Sequence, residues 1–223
     1  MSSRNTGLRS RIVEGFYEHR FGWLFASIML VLIADPLLEL FGMNQSVLDR
    51  GLALCVGLAV LGFERHKPLA TRVLIWLVVA MAAVAGILGH QAAPRAEWTW
   101  ILIGMLVVVG TVRAALRGSG VDGERIFAAL DGYLLAGMLF GACYWQLSQQ
   151  DPATFGGDAG LRTRIDAIYF SYATLSTVGY GDVAPVSSGA RSLSVVEAVG
   201  GQLYLAVLLA RLVSLYAPGT RKK

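Results

Sequence analysis

Long apolar runs separated by short polar segments dominate this chain of 223 residues. A helix crosses the hydrocarbon core of a bilayer with roughly 20 mainly apolar residues. Six runs lie near that length: residues 21–41, 47–63, 73–89, 98–112, 126–147 and 190–216. Only 15% of the residues are charged, against about a quarter in soluble domains. The pattern predicts an all-α membrane protein with six transmembrane helices and argues against a soluble enzyme or a disordered chain.

The positively charged residues indicate the orientation of the chain. With the N-terminus in the cytoplasm, 14 of the 19 Lys and Arg residues fall in cytoplasmic segments or at the inner ends of the runs, and five fall outside. Cytoplasmic loops carry such an excess, so we expect a multi-pass protein of the cell membrane, specifically a bacterial inner membrane, with both termini cytoplasmic. The net charge of +4 is explained by these cytoplasmic segments. Because the sequence has no basic stripe with interleaved aromatic residues, we expect no nucleic-acid partner.

A shorter apolar run, residues 165–176, lies between the fifth and sixth long runs. Its 12 residues are too few to cross a bilayer. Thr163 and Asp166 have the spacing of a capping box, which would start a helix at this point. We therefore expect a re-entrant helix, which enters the membrane without crossing it.

Residues 177–182, which read TVGYGD, follow this short helix directly. Irregular backbone at membrane depth is tolerated only where it is buried in protein or lines a water-filled path. Gly179 and Gly181 can adopt positive φ without strain, which allows consecutive carbonyl groups to be turned to one side. A ring of carbonyl oxygens can replace the water that an ion loses in a pore. The segment is therefore predicted to line an ion path.

Residues 167–182 closely resemble the pore helix and selectivity filter of the tetrameric potassium channel family, in the same order of span, re-entrant helix, filter and span. The resemblance implies a prokaryotic-type six-span subunit with one pore loop and voltage-gated-like ion channel architecture. It implies K+ as the permeant ion, no cofactor and no enzymatic activity. It places K+ coordination on backbone carbonyls, with the Thr177 hydroxyl, at Thr177, Val178, Gly179 and Tyr180. Gly181 would support the filter, and Asp182 would lie at its outer mouth.

The resemblance also assigns residues around the filter. Tyr169 and Phe170 fall where the family places an aromatic pair that braces the filter through Tyr180, although ordinary helix packing would also explain two rings there. Some family members carry a buried carboxylate at the position of Ala173, which pairs with the aspartate matching Asp182. Because alanine stands here, we do not expect inactivation behaviour that depends on that pair.

The sixth run contains two adjacent glycines, Gly200 and Gly201, and one carboxylate, Glu197. Gly201 falls at the position of the inner-helix glycine that the family uses as a hinge. Close packing against another helix explains small residues equally well. Glu197 needs a partner in the membrane, and we expect it to face a neighbouring helix or the region behind the filter.

The resemblance divides the chain into a cytoplasmic N-terminal segment, a four-span sensor-like domain, a cytoplasmic linker, a pore domain and a short cytoplasmic tail: residues 1–20, 21–112, 113–125, 126–216 and 217–223. Voltage sensors carry arginines along the fourth span, but residues 98–112 have no charge. We therefore expect a channel that is not classically voltage-gated. We expect no cytosolic regulatory domain after residue 216, and a basic end that contacts membrane lipid.

The number of pore loops predicts the assembly. A ring of carbonyls needs several loops, four are used in the family, and this chain carries one, so a homotetramer is expected. Assembly with a sister subunit is an alternative. The function predicted is passive, potassium-selective permeation. The alternatives are a non-selective cation channel of the same fold, which Tyr180 and Asp182 argue against, and a silent or regulatory subunit.

Overall fold

The computed structural model describes residues 20–40, 94–116, 123–157 and 160–216, and within these ranges the chain is mostly helical. Its elements are α1 (Arg20–Leu40), α2 (Pro94–Leu116), α3 (Gly123–Gln150), a 3-10 turn (Pro152–Thr154), β1 (Phe155–Gly156), α4 (Arg164–Leu175), β2 (Ala184–Pro185) and α5 (Ser188–Tyr216). The short elements between α3 and α5 are the ones that carry the candidate site.

The chain forms two compact units, and α3 contributes to both, with residues up to 132 in one and residues from 133 in the other. In the first unit, α1 buries Phe21, Leu24 and Ile28, which lie three or four residues apart on one helical face. The backbone N–H of Phe21 donates to the Glu124 carboxylate at the start of α3 (3.1 Å). These contacts fix the start of α3 against α1.

Helices α3 and α5 are, among the described residues, the two that are long and apolar enough to cross a membrane, over Gly123–Gln150 (28 residues) and Ser188–Ser214 (27 residues). At 1.5 Å per residue each is about 40 Å long, more than the roughly 30 Å of a hydrocarbon core. Shorter apolar helical stretches occur at Phe21–Ile33 in α1 and Gly104–Leu116 in α2.

Two short strands pair at the two ends of the segment between α3 and α5. Asp151 caps the 3-10 turn by accepting a hydrogen bond from the Ala153 N–H (2.9 Å). Strands β1 and β2 then pair antiparallel, with Phe155 opposite Pro185 and Gly156 opposite Ala184. Helix α4 and the residues after it lie between these two strands in sequence.

The described helices agree with four of the six apolar runs. Helix α1 covers residues 21–40 of the first run, and α2, α3 and α5 cover the runs at 98–112, 126–147 and 190–216. The runs at 47–63 and 73–89 lie outside the described residues, so the six-span count stays a prediction. The segment predicted as a linker, 113–125, is helical at both ends, because α2 continues to Leu116 and α3 begins at Gly123.

Candidate functional site

Helix α4 begins with the capping box that the sequence predicts. The Thr163 hydroxyl accepts a hydrogen bond from the backbone N–H of Asp166 (3.1 Å). The Asp166 carboxylate in turn accepts from the N–H groups of Thr163 (2.7 Å) and Arg162 (2.9 Å). Because these bonds satisfy N–H groups that a helix start leaves unpaired, they fix the beginning of α4 at Arg164.

The side of α4 that faces α3 rests on two glycines, Gly137 and Gly141, which we call the glycine groove. A Cβ added at Gly141 would lie 2.9 Å from the Ile168 Cα, and one at Gly137 would collide with the Tyr172 ring. Tyr172 also donates from its hydroxyl to the Leu134 carbonyl (2.7 Å). Small residues four apart allow close approach of helices in membranes. The G-x-x-x-G pattern was readable in the sequence, and the sequence reasoning missed it.

Three aromatic rings form a buried cluster against the middle of α4. Tyr144, Phe155 and Phe170 meet edge to face, with ring centroids 4.9 to 5.7 Å apart. Such pairs contribute about 0.5–1.5 kcal/mol each beyond the area that they bury. Phe170 is 6% exposed, so its place is in this aromatic cluster and it joins α4 to α3 and β1.

A buried carboxyl group, Glu197 of α5, lies among hydroxyl groups beside this cluster. Its side chain is fully buried. The Tyr144 hydroxyl donates to its Oε2 (2.6 Å), and the Ser171 Oγ lies 2.5 Å from its Oε1. Ser171 Oγ also lies 2.7 Å from the Gly137 carbonyl oxygen. Of the two expectations for Glu197, a neighbouring helix or the region behind the filter, the contacts with α3 and α4 confirm the neighbouring helix. No pattern in the sequence indicates its two partners.

The residues after α4, 177–182, form what we call the pore loop. Thr177, Gly179 and Gly181 have positive φ (61°, 55° and 82°), and Thr177 is the one non-glycine with this property in the part of the chain that the structure describes. Val178 and Tyr180 do not share it, so left-handed residues alternate with others. The N–H groups of Val178 and Gly179 donate to the Ala173 carbonyl (2.9 and 3.1 Å). The loop is therefore tied to the last turn of α4.

The loop is open on its other side. Val178 is 53% exposed and Tyr180 is 69% exposed in the single chain. The Tyr169 ring stacks on the Tyr180 ring at 5.8 Å with an angle of 12° between the planes. Of the aromatic pair expected to brace the filter, Tyr169 contacts Tyr180, whereas Phe170 packs in the aromatic cluster.

The start of α5 and the paired strands β1 and β2 hold the end of the pore loop at Asp182. Gly157 has a φ of 106°, and a Cβ there would collide with the backbone of Asp182. Val183 is buried with Phe155 and Ala190 in the same core. The Arg191 Nε donates to the Pro185 carbonyl (3.2 Å). The backbone of Asp182 therefore lies in close contact with Gly157, and the next residue, Val183, packs against the start of α5.

The adjacent glycines of α5 have different surroundings. A Cβ at Gly201 would lie 2.6 Å from the Leu175 Cδ1 and 3.1 Å from its carbonyl oxygen, whereas a Cβ at Gly200 would meet nothing within 4 Å. The Leu175 carbonyl also accepts from the Tyr133 hydroxyl (3.1 Å). Close packing on the end of α4 explains Gly201, and the hinge stays a prediction.

Comparison with known proteins places these elements in a family. The sequence model described as "Ion channel" matches residues 128–217, which hold α4, the pore loop, α5 and most of α3. The chain is 38% identical over 81 residues to two-pore potassium channel 4 of Arabidopsis thaliana, covering 36% of this chain and 27% of that protein. It is 35% identical over 113 residues to the voltage-gated potassium channel Kch of Escherichia coli (strain K12), covering 51% of this chain and 25% of Kch. The chain thus spans about a quarter of the length of these two relatives.

A third relative is matched over most of its length. The chain is 30% identical over 120 residues to Protein LctB of Bacillus caldotenax, covering 51% of this chain and 87% of LctB. Together with the match at residues 128–217, this coverage settles the family and points to a channel rather than an enzyme. The chain belongs to the ion channel family.

Proposed function

We propose that this protein is a passive, potassium-selective channel, formed by four copies of the chain around one pore. The backbone carbonyls of Thr177, Val178, Gly179 and Tyr180, with the Thr177 hydroxyl, coordinate dehydrated K+. The observation that carries the proposal is the alternating positive φ of an exposed loop. Alternation of left-handed and ordinary residues turns successive peptide groups to the same side, which a stack of carbonyl rings requires.

The exposed face of α5 supports assembly with further copies. One face of the helix buries Ala190, Glu197 and Gly201 within the subunit. The rest carries large apolar residues that a single subunit leaves exposed: Val195, Val196, Val199, Leu203, Leu205, Val207, Leu209 and Val213. Other copies and lipid are the proposed cover for this face, and Leu205 and Leu209 would provide an apolar constriction of the kind that gates by dewetting.

Electrostatics favour a cation at both ends of the pore loop. Helix α4 ends at Leu175, and the C-terminal end of a helix carries a partial negative charge that favours a cation. Asp182, at the outer end of the loop, would raise the local concentration of cations. K+ in particular is supported by the TVGYGD sequence and by two relatives that are named potassium channels.

The four-span block is proposed not to act as a classical voltage sensor. Residues 98–112 carry no charge, and Arg113 lies only in the last turn of α2. Each charge that crosses the membrane field contributes about 2.3 kcal/mol per 100 mV, so this helix lacks the charges for steep voltage dependence. Recordings over a wide voltage range are expected to show shallow dependence. Opening equivalent to several gating charges would contradict the proposal.

The experiment that tests the pore is K+ flux from liposomes that contain the purified protein, with Gly179→Ala as the variant. A Cβ at Gly179 meets nothing within 4 Å, and its φ is 55°, so the change acts through backbone strain of roughly 1–2 kcal/mol per subunit. We expect it to abolish K+ flux or its selectivity over Na+. Gly189→Ala, a helical glycine with open space and no positive φ, is the matched control and should conduct like the parent.

The alternatives give different results in the same experiment. A non-selective cation channel passes Na+ across the liposome membrane as readily as K+. A silent subunit gives no flux from the parent protein. If Gly179→Ala conducts as well as the parent with unchanged selectivity, the pore loop is not the filter.

A further inference from the structure

The short oxygen–oxygen distances around Glu197 show how many hydrogen atoms must lie between these oxygens. Three oxygen pairs lie close together: Tyr144 Oη and Glu197 Oε2 at 2.6 Å, Ser171 Oγ and Glu197 Oε1 at 2.5 Å, and Ser171 Oγ and the Gly137 carbonyl oxygen at 2.7 Å. These are distances of O–H···O hydrogen bonds. Two oxygens that approach so closely with no hydrogen between them repel each other through their lone pairs. Each of the three pairs therefore needs one hydrogen.

The hydroxyl groups supply only two of the three. Tyrosine and serine each carry one hydroxyl hydrogen, and a backbone carbonyl carries none. The Tyr144 hydrogen lies between Tyr144 and Oε2. Ser171 can donate to the Gly137 carbonyl or to Glu197, but not to both. The third hydrogen must come from Glu197, which then donates to Ser171 Oγ while Ser171 donates to Gly137.

The surroundings of Glu197 agree with an uncharged acid. The side chain is fully buried, and an ionised carboxylate is costly at such a place unless it is paired with a cation. The two side chains that contact Glu197 are hydroxyl groups. In the part of the chain that the structure describes, the other titratable groups that interact with it are Tyr133, Tyr172 and the thiol of Cys143. None of these side chains becomes a cation.

We propose that Glu197 is a protonated carboxylic acid that binds α3, α4 and α5 together and thereby positions the pore loop. Tyr144 and Gly137 belong to α3 and Ser171 to α4, and Glu197 on α5 joins them through hydrogen bonds. Ser171 lies only six residues before Thr177, and the loop is itself tied to Ala173 by two N–H bonds. A shift of α4 would therefore move the loop. Glu197 is thus a positioning residue, and its effect on conduction rests on the function proposed above.

The test compares Glu197→Gln with Glu197→Ala in the full-length protein. A glutamine side chain is neutral and isosteric, and it keeps both functions, since its NH2 group can donate to Ser171 and its oxygen can accept from Tyr144. Alanine removes the oxygen that accepts from the Tyr144 hydroxyl and the hydrogen that Ser171 Oγ accepts, so only the bond from Ser171 to the Gly137 carbonyl remains. We expect Glu197→Gln to retain K+ flux within about twofold and Glu197→Ala to lose about tenfold or more, as buried hydrogen-bond losses of this kind predict.

An infrared spectrum gives the readout that a structural role alone would not change. The C=O stretching band of a protonated carboxyl group is distinct from the bands of a carboxylate. The difference spectrum of the parent and Glu197→Gln is expected to show the loss of one such band. If only carboxylate bands change, Glu197 is ionised and the proposal is wrong. It is also wrong if Glu197→Gln reduces flux as much as Glu197→Ala, or if Glu197→Ala conducts like the parent.

The infrared readout also separates this proposal from the proposed function. If the parent gives no K+ flux in liposomes, the channel assignment fails. The difference spectrum and the melting temperature of the variants then still decide whether Glu197 is a protonated brace. In that case an acid band that is lost in Glu197→Gln, together with lower stability of Glu197→Ala only, supports it.

Discussion

The two sides of the pore segment are built from different chemistry. On the side that a single chain leaves exposed, the pore loop presents backbone, with positive φ at Thr177, Gly179 and Gly181. Behind α4, the contacts are the hydrogen bonds of the buried Glu197 side chain and the close packing of α4 on the glycine groove. In the proposed channel, this difference makes ion contact and the position of the loop separate tasks. The first depends on backbone conformation and the second on how closely three helices approach.

The largest effect behind the loop is expected from Gly141→Ala. The new Cβ would lie 2.9 Å from the Ile168 Cα, and backbone cannot move aside as a flexible side chain can. Overpacking of this kind costs about 1–3 kcal/mol, so α4 should shift and conduction should fall together with the melting temperature in detergent. Gly123→Ala, in the same helix with no atom within 4 Å, is the control. If the two variants have equal conduction and equal melting temperatures, close packing behind α4 does not position the pore loop.

A smaller and more discriminating effect is expected from the glycines of α5. Gly201→Ala places a methyl group against Leu175 and should destabilise the protein. Gly200→Ala enters open space and should stabilise the helix by roughly 0.5–1 kcal/mol. Melting temperatures and open probability are to be measured for both variants. If Gly200→Ala and Gly201→Ala impair opening equally while stability is unchanged, the glycines act as a hinge rather than as packing residues.

The smallest effect is expected at the start of α4. Thr163→Ala removes the hydroxyl that accepts from the Asp166 N–H and should cost about 1 kcal/mol of stability. Thr163→Ser keeps the hydroxyl and should behave like the parent. Because α4 is also held by the glycine groove and by Glu197, conduction should be nearly unchanged at temperatures well below unfolding. A strong loss of selectivity in Thr163→Ala would show that the cap, and not the packing behind α4, positions the loop.

Local signals in the sequence predicted the beginning and the end of α4. The capping box at Thr163 and Asp166 depends on residues three apart, and the glycines of the pore loop identify the backbone that follows. The division between Tyr169 and Phe170 was also predictable in principle. Adjacent residues on a helix point about 100° apart, since a turn holds 3.6 residues. Two neighbouring residues therefore do not both point toward Tyr180, although the resemblance to the family assigned both rings to that role.

The partners of Glu197 could not be predicted from the sequence. Tyr144 is 53 residues away and Ser171 is 26 residues away. Burial of a carboxyl group in an apolar run indicates that a partner exists, but several hydroxyl residues occur on α3 and α4. Which of them meets Glu197 depends on how closely the helices approach, and this depends on Gly137 and Gly141. The tertiary contact therefore follows from a pattern of small residues in another helix.

The pairing of strands β1 and β2, which sets Phe155 opposite Pro185, has a consequence for engineering. The chain leaves α3 and returns to α5 at almost the same place, so everything between the two strands is a loop with fixed ends. Exchanging residues between these strands for the corresponding segment of another chain would keep both junctions in register. Such a graft would carry the capping box, α4 and the pore loop as one module, provided that the recipient offers two small residues where this chain has Gly137 and Gly141.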